Sequence, residues 1–233
     1  MQQFRLNSAI AGQRYHRPVS DFRSDFPVGR LSQVLVGHVW PSGSNLAILN
    51  SASADVGNVA AAYLALQDQL RQARFGPLAD QEGVTADDVR AAFERGEEHA
   101  RTIAEKYETK RAAFQSANDA ASALRAQLTT IADDGHRQIM RIQDGHGSAA
   151  EQLDRLVGVV LECQTRANAA AAIYGQDILD AVQKILGAEG IDKSARKLAA
   201  EHGVDTGRMF GYPHHDQVRE QLTALLSGLS GPT

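Results

Sequence analysis

From Asp87 to Asp133 the chain repeats one arrangement without a break. Phe93, Ala100, Tyr107, Phe114, Ala121 and Leu128 recur at one heptad position, and Ile103, Ala117, Leu124 and Ile131 at the other. Apolar and small residues spaced alternately by three and four place a seam along one side of an α-helix. No proline interrupts the stretch, and Gly96 is its weak point. A helix of that length runs on the order of 70 Å at about 1.5 Å per residue. It cannot bury its own seam, so it needs partner helices.

Two further segments supply them. Val56, Val59, Tyr63, Leu66, Leu70 and Ala73 share the three-four spacing and predict a helix from Ala54, capped by Ser53, to Arg74, stopped by Gly76-Pro77. Thr85-Ala86-Asp87-Asp88 then reads as a capping-box-like start for the long helix, its acidic residues favoured by the macrodipole. Ser148 with Glu151 makes a second capping box, opening a helix to about Leu186. Its seam is Leu153, Val157, Val160, Gln164, Ala167, Ala171, Tyr174, Ile178, Ala181 and Ile185, and Leu156, Leu161, Ile173, Leu179 and Val182 widen that face beyond a two-helix contact. Between Asp133 and Ser148 the pattern loosens into the connection of a helical hairpin.

These segments predict an all-α fold: an elongated antiparallel bundle of three main helices over 51–190, with an N-terminal arm at 1–50 and a C-terminal helical appendage at 191–233. Within the appendage, Asp192 is placed to cap a short helix to about His202, Gly203 to stop it, and Asp216 to Leu226 to close the chain. The arm interleaves Arg5, Arg14, Arg17 and Arg23 with Phe4, Tyr15 and Phe22, a composition that anchors an arm through its aromatics or stacks on bases. Leu31 to Trp40 has β character through Val34, Val36 and Val39. The turn Pro41-Ser42-Gly43-Ser44 could return the chain through Leu46 to Leu49, giving a small β-hairpin.

Composition narrows the function classes. A net charge of −4 gives no general attraction to phosphate backbones or anionic lipid, so nucleic acid is a disfavoured partner. One cysteine, Cys163, excludes an intramolecular disulfide, and its helical setting reads as a small half-buried side chain. No window reaches the ~20 apolar residues of a membrane span and no ordinary signal peptide opens the chain. The default location is cytoplasmic, with export requiring another route.

Residues able to carry chemistry are few. Asp134-Gly135-His136 and Asp144-Gly145-His146 put two imidazoles and two carboxylates near one connection, the ligand types of a transition-metal site, with His136 and His146 as candidates. Asp-Gly-His is equally ordinary turn chemistry. There is no serine in a glycine elbow, no phosphate-cradling loop and no dinucleotide fingerprint, so neither catalytic residues nor a cofactor are expected. The segment 194–210 has the first helix and glycine turn of a helix-turn-helix, which would make the chain DNA-associated. Its second half meets Gly207 and carries no Lys or Arg after Arg208.

Long alanine-rich helical segments, Trp40-Pro-Ser-Gly43 and Tyr212-Pro-His-His-Asp216 together resemble helical substrates of actinobacterial type VII secretion systems. In that family Trp-x-Gly marks a hairpin turn, and Tyr-x-x-x-Asp or Glu after the hairpin is an export signal. The resemblance implies Tyr212 and Asp216 as an export signal, and Trp40 and Gly43 as a turn or partner-facing element. Here the glycine follows Trp40 one residue late and precedes the first helix. Bundle and composition together point to a non-catalytic interaction or scaffold protein that binds a protein partner or itself through its helix faces. Gln164 and Lys110, polar at seam positions, are placed to fix register.

Overall fold

The computed structural model describes residues 25, 31–37, 40–204 and 214–228. These form six helices: α1 (Ser32–Val36), α2 (Gly43–Phe75), α3 (Val84–Gln143), α4 (Ala149–Ala188), α5 (Ala195–Glu201) and α6 (His215–Gly228). No strand occurs among the described residues. α3, at 60 residues, is about 90 Å long and is the element on which the others are laid.

Both long partners run antiparallel to α3, on different stretches of it. α2 covers the N-terminal half: Arg74 meets Glu97, Tyr63 stacks on Tyr107 at 6.4 Å, and Ser53 donates to the Arg111 carbonyl. α4 covers the C-terminal half, where Arg166 pairs with Asp134 and Ala181 packs with Ala113 and Ala117. Leu49 and Ile185 close the short zone in which all three helices meet, and its alanines allow close helix approach. The main core lies further along, where Leu128, Ile131 and Ile139 of α3 pack with Val157, Val160 and Cys163 of α4, Leu35 of α1 and Leu222 of α6. Each large apolar side chain so buried contributes about 1.5–3 kcal/mol.

The three main helices and their antiparallel packing are those the heptad spacing predicts. Along the seams, Ala100, Ala117, Ala121, Leu124, Leu128 and Ile131 of α3 are buried, as are Val157, Val160, Ala167, Ala171 and Ala181 of α4. Ile173, expected to widen the α4 face inward, is 64% exposed. The Ser148–Glu151 capping box forms with both reciprocal bonds.

The ends of the elements differ. α2 begins at Gly43, its cap is Ser42, whose hydroxyl accepts from the Asn45 N–H at 3.2 Å, and Ser53 lies inside the helix. α3 begins after Gly83 with no side-chain cap, because the left-handed backbone at Gly83 (φ 104°) already turns the chain ahead of Thr85. α5 is capped by Ser194 rather than Asp192. α3 also runs unbroken through Asp134-Gly135-His136 to Gln143, which shrinks the expected connection to residues 144–148.

The N-terminal hairpin is overturned by helix on both sides. Leu31 to Val36 is dominated by α1, in which Ser32, Leu35 and Val36 share a buried face at helical spacing. Leu46 and Leu49 lie in α2, half-buried at helical spacing, and Leu49 packs on Ala113 and Ala117 of α3. Helical burial of these leucines outweighs the β propensity of the valines. His38 and Val39 lie outside the described residues, as does the arm at 1–24.

Candidate functional site

Trp40 and Gly43 are brought together, at the corner where the chain enters α2. The Arg125 guanidinium of α3 lies 5.0 Å over the Trp40 ring, and its Nη2 donates to Asp25 Oδ1 at 3.0 Å. The Gly43 backbone N–H donates to the other Asp25 oxygen. A Cβ on Gly43 would meet Asp25 at 3.1 Å and Arg125 at 3.5 Å, so the glycine makes room for the carboxylate at the helix N-terminus. Hydrogen bonding from Arg125, then from Gly43, holds the Asp25 carboxyl below its ordinary range. Trp40 is half-buried against the main core. This is a corner that fixes the start of α2 on α3. Arg125 and Asp25 carry no motif, so their pairing across the sequence could not be read in advance.

The Asp-Gly-His repeats divide between two settings. His136 is exposed on the last turns of α3, and His146 is exposed in the α3–α4 connection. Asp134 is engaged by Arg166, whose hydrogen bond lowers its pKa, and by Arg137. Among the described residues no group of three or more His, Cys, Asp or Glu is placed to hold a metal ion. Gly135 is explained by packing rather than by a turn: a Cβ there would stand 2.7 Å from Cys163 Sγ and 2.9 Å from Leu35 Cδ2. α1, α3 and α4 converge at this point. Cys163 is fully buried rather than half-buried, and burial pushes its thiol pKa up.

Both polar seam residues find partners. Gln164 Nε2 donates to the Val34 carbonyl at 2.7 Å, tying α1 to α4. Lys110 is buried, lies 4.0 Å over the Tyr107 ring and pairs with Glu189 at the end of α4, which Lys106 also reaches at 2.6 Å. Hydrogen bonds from Lys106 and Lys110 lower the Glu189 pKa. These contacts set where α4 stops along α3.

In the C-terminal appendage, Asp216 is fully exposed in the first turn of α6, with His215 Nδ1 at 3.6 Å. Tyr212 lies outside the described residues. α6 is held on α4 by buried Val218 and Leu222 and by the Arg219–Asp154 pair at 3.1 Å. α5 ends at a left-handed Gly203, as a helix-turn-helix would require, but residues 205–213, which would hold the recognition helix, lie outside the described residues. Arg196 is hydrogen-bonded to Gln176 and Lys193 to Glu201, so both are already engaged on the protein.

The largest feature that no motif announced is the outer surface of α2. Of its 33 residues Ala60 alone is buried, while Ile48 is 65% exposed, Leu64 44% and Leu66 41%. Between Gly43 and Gln67 the only charged residue is Asp55. A surface helix packed on one side normally turns a charged face to water. α2 turns alanine, serine, asparagine, isoleucine and leucine instead. The signal was present in the composition of the segment, but the three-four spacing places Leu66 in the seam toward the partner helix, and the structure leaves it 41% exposed at the edge of that contact.

Comparison with known proteins adds one relative. The chain is 30% identical over 187 residues to the "Uncharacterized protein Rv2082" of Mycobacterium tuberculosis, an alignment taking in 77% of this chain and 24% of that protein. The chain thus spans about a quarter of the length of this relative. No family model matches the chain, and no solved structure matches it. No helix among the described residues is long and apolar enough to cross a membrane.

Proposed function

We propose that the chain is a non-catalytic helical interaction protein whose contact surface is the outer side of α2. The observation that carries this reading is the pairing of exposed Ile48 and Leu66, which lie on one side of the helix, with a near absence of charge from Gly43 to Gln67. Exposed apolar area of this kind, carried on a rigid helix, is what a partner helix or groove covers. α3 serves as the beam: it holds α2 straight through Arg74–Glu97 and the Asp25–Arg125 corner, leaving the other side of α2 open. Replacing Ile48 and Leu66 together by glutamate should leave helix content and melting temperature unchanged and abolish partner binding. Unchanged binding by that variant would remove the reading.

A second role is compatible with the first. We propose that the chain is exported in the manner of the helical type VII substrates it resembles, with Tyr212 and Asp216 as the signal. What supports this is the position of Asp216, whose side chain is fully exposed at the start of α6. A receptor could read it without unfolding the rod.

A further inference from the structure

We infer that Asp144 is a site of spontaneous backbone modification, isomerising to isoaspartate through a cyclic imide formed with the nitrogen of Gly145, while the identical Asp134-Gly135 pair is protected by the fold. The chain carries Asp-Gly-His twice, at 134–136 and at 144–146. Neither repeat takes part in the interaction surface on α2, and the structure puts the two in opposite environments.

The reaction asks for three things at once. The side-chain carboxyl must be protonated, so that its hydroxyl can leave as water. The next backbone nitrogen must give up its hydrogen bond and turn onto the carboxyl carbon, which takes a rotation about the Cα–C bond of the aspartate. The following residue must not crowd that approach, and glycine, with no Cβ, crowds it least. The nitrogen then bonds to the side-chain carboxyl carbon, one water leaves, and the imide ring closes. Water adds back at either ring carbonyl. Opening at the side-chain carbonyl restores aspartate; opening at the main-chain carbonyl leaves isoaspartate, whose backbone runs through the former side chain and is one methylene longer. Nothing is oxidised or reduced, and the mass of the chain is unchanged.

Asp144 meets these requirements. It is the C-cap of α3, and Asp144, Gly145, His146 and Gly147 are all exposed. The Gly145 N–H donates to the Ile142 carbonyl at 3.2 Å, a last-turn bond at a helix end, where helices fray. Rotation at this point unwinds the last turn of α3 and leaves α4 intact, because α4 has its own cap in Ser148 and Glu151.

Asp134 fails all three. Gly135 is buried within the 60 residues of α3, so its N–H belongs to the helix ladder and rotation there would break the rod. The surroundings leave no room for movement: even a Cβ on Gly135 would stand 2.7 Å from Cys163 Sγ and 2.9 Å from Leu35 Cδ2. The Asp134 carboxylate is held by Arg166 Nη2 at 3.2 Å and by Arg137. Hydrogen bonding from Arg166 lowers its pKa, which makes the protonated form rarer still.

Trypsin separates the two repeats, into peptides 126–137 and 142–155. The folded full chain, kept in warm neutral buffer made with heavy-oxygen water and then digested in ordinary water, should yield 142–155 at a second elution position carrying one heavy oxygen. That species should accept a methyl group from S-adenosylmethionine in the presence of a protein isoaspartate methyltransferase, and 126–137 should remain unmodified. In denaturant both peptides should be modified to a similar extent, because the fold and not the tripeptide makes the difference. Asp144→Glu should remove the signal from 142–155 with the melting temperature unchanged, since the longer side chain closes the ring far more slowly. Absence of isoaspartate in 142–155 from the folded chain, or equal amounts in both peptides, overturns the inference.

Discussion

The sulfur of Cys163 occupies the space that a side chain on Gly135 would need, 2.7 Å from where its Cβ would stand. The two residues belong to different long helices, and Leu35 of α1 closes the same gap from a third direction. Gly135→Ala therefore forces a buried thiol, a buried leucine or the helix backbone to shift. Such overpacking costs about 1–3 kcal/mol, readable as a lower denaturation midpoint with unchanged slope. Gly158→Ala, where nothing lies within 4 Å of the added carbon, should show no such loss and should gain slightly from helix propensity.

The same contact makes Cys163 inert. With its thiol fully buried and its pKa raised by burial, it should react with a thiol reagent at neutral pH only as fast as the core opens. Adding denaturant should release one equivalent of thiol at the unfolding transition. Rapid stoichiometric labelling of the native chain would contradict the packing around Gly135.

Acid should loosen the long-range ties of the rod. Asp25, Asp134 and Glu189 all have folded-state pKa values lowered by hydrogen-bonded partners, Arg125, Arg166 and Lys106 respectively being the first cause. The folded chain binds fewer protons at these groups than the unfolded chain does, so their contribution is complete above the ordinary values of 3.8 and 4.5 and is lost as pH falls through the lower folded values. Melting temperature should hold steady down to about pH 4.5 and fall below it. Arg125→Ala should flatten part of that fall by removing the main cause of the Asp25 shift.

Much of the body was legible because heptad spacing is a local signal. Leu124, Leu128 and Ile131 declare their shared face within two turns, and Ser148 declares its cap within four residues. What escaped the sequence depends on distant partners. Leu35 and Val36 look like strand residues until Gly135 is seen to leave a hollow for α1, and Asp25 means nothing until Arg125 arrives from α3. The glycine of Asp134-Gly135-His136 was read as a turn because Asp-Gly is common in turns, whereas here it thins a helix–helix contact. The candidate surface was missed for a related reason: a seam records what one face needs, and the absence of charge on the other faces of α2 becomes informative only once α3 is known to cover one side.

The export proposal has its own test. Tyr212→Ala and Asp216→Ala, assayed separately in the native host, should each leave the melting temperature unchanged and remove the chain from the culture medium. Retention of the wild-type chain inside the cell, or export of both variants at the wild-type level, would end that reading.

The most direct measurement is photo-cross-linking from single positions in the native host, with a photoreactive residue placed in turn at Ile48 and Leu66 on α2 and at Arg101 on the charged face of α3. Arg101 is bound between Glu98 and Glu105 and serves as the reference surface. The account expects one discrete adduct from each α2 position, either a second copy of the chain or one other protein, and none from Arg101. Equal diffuse labelling at all three positions, or a discrete adduct from Arg101 with none from Ile48 and Leu66, would contradict the claim that α2 is the surface through which this protein acts.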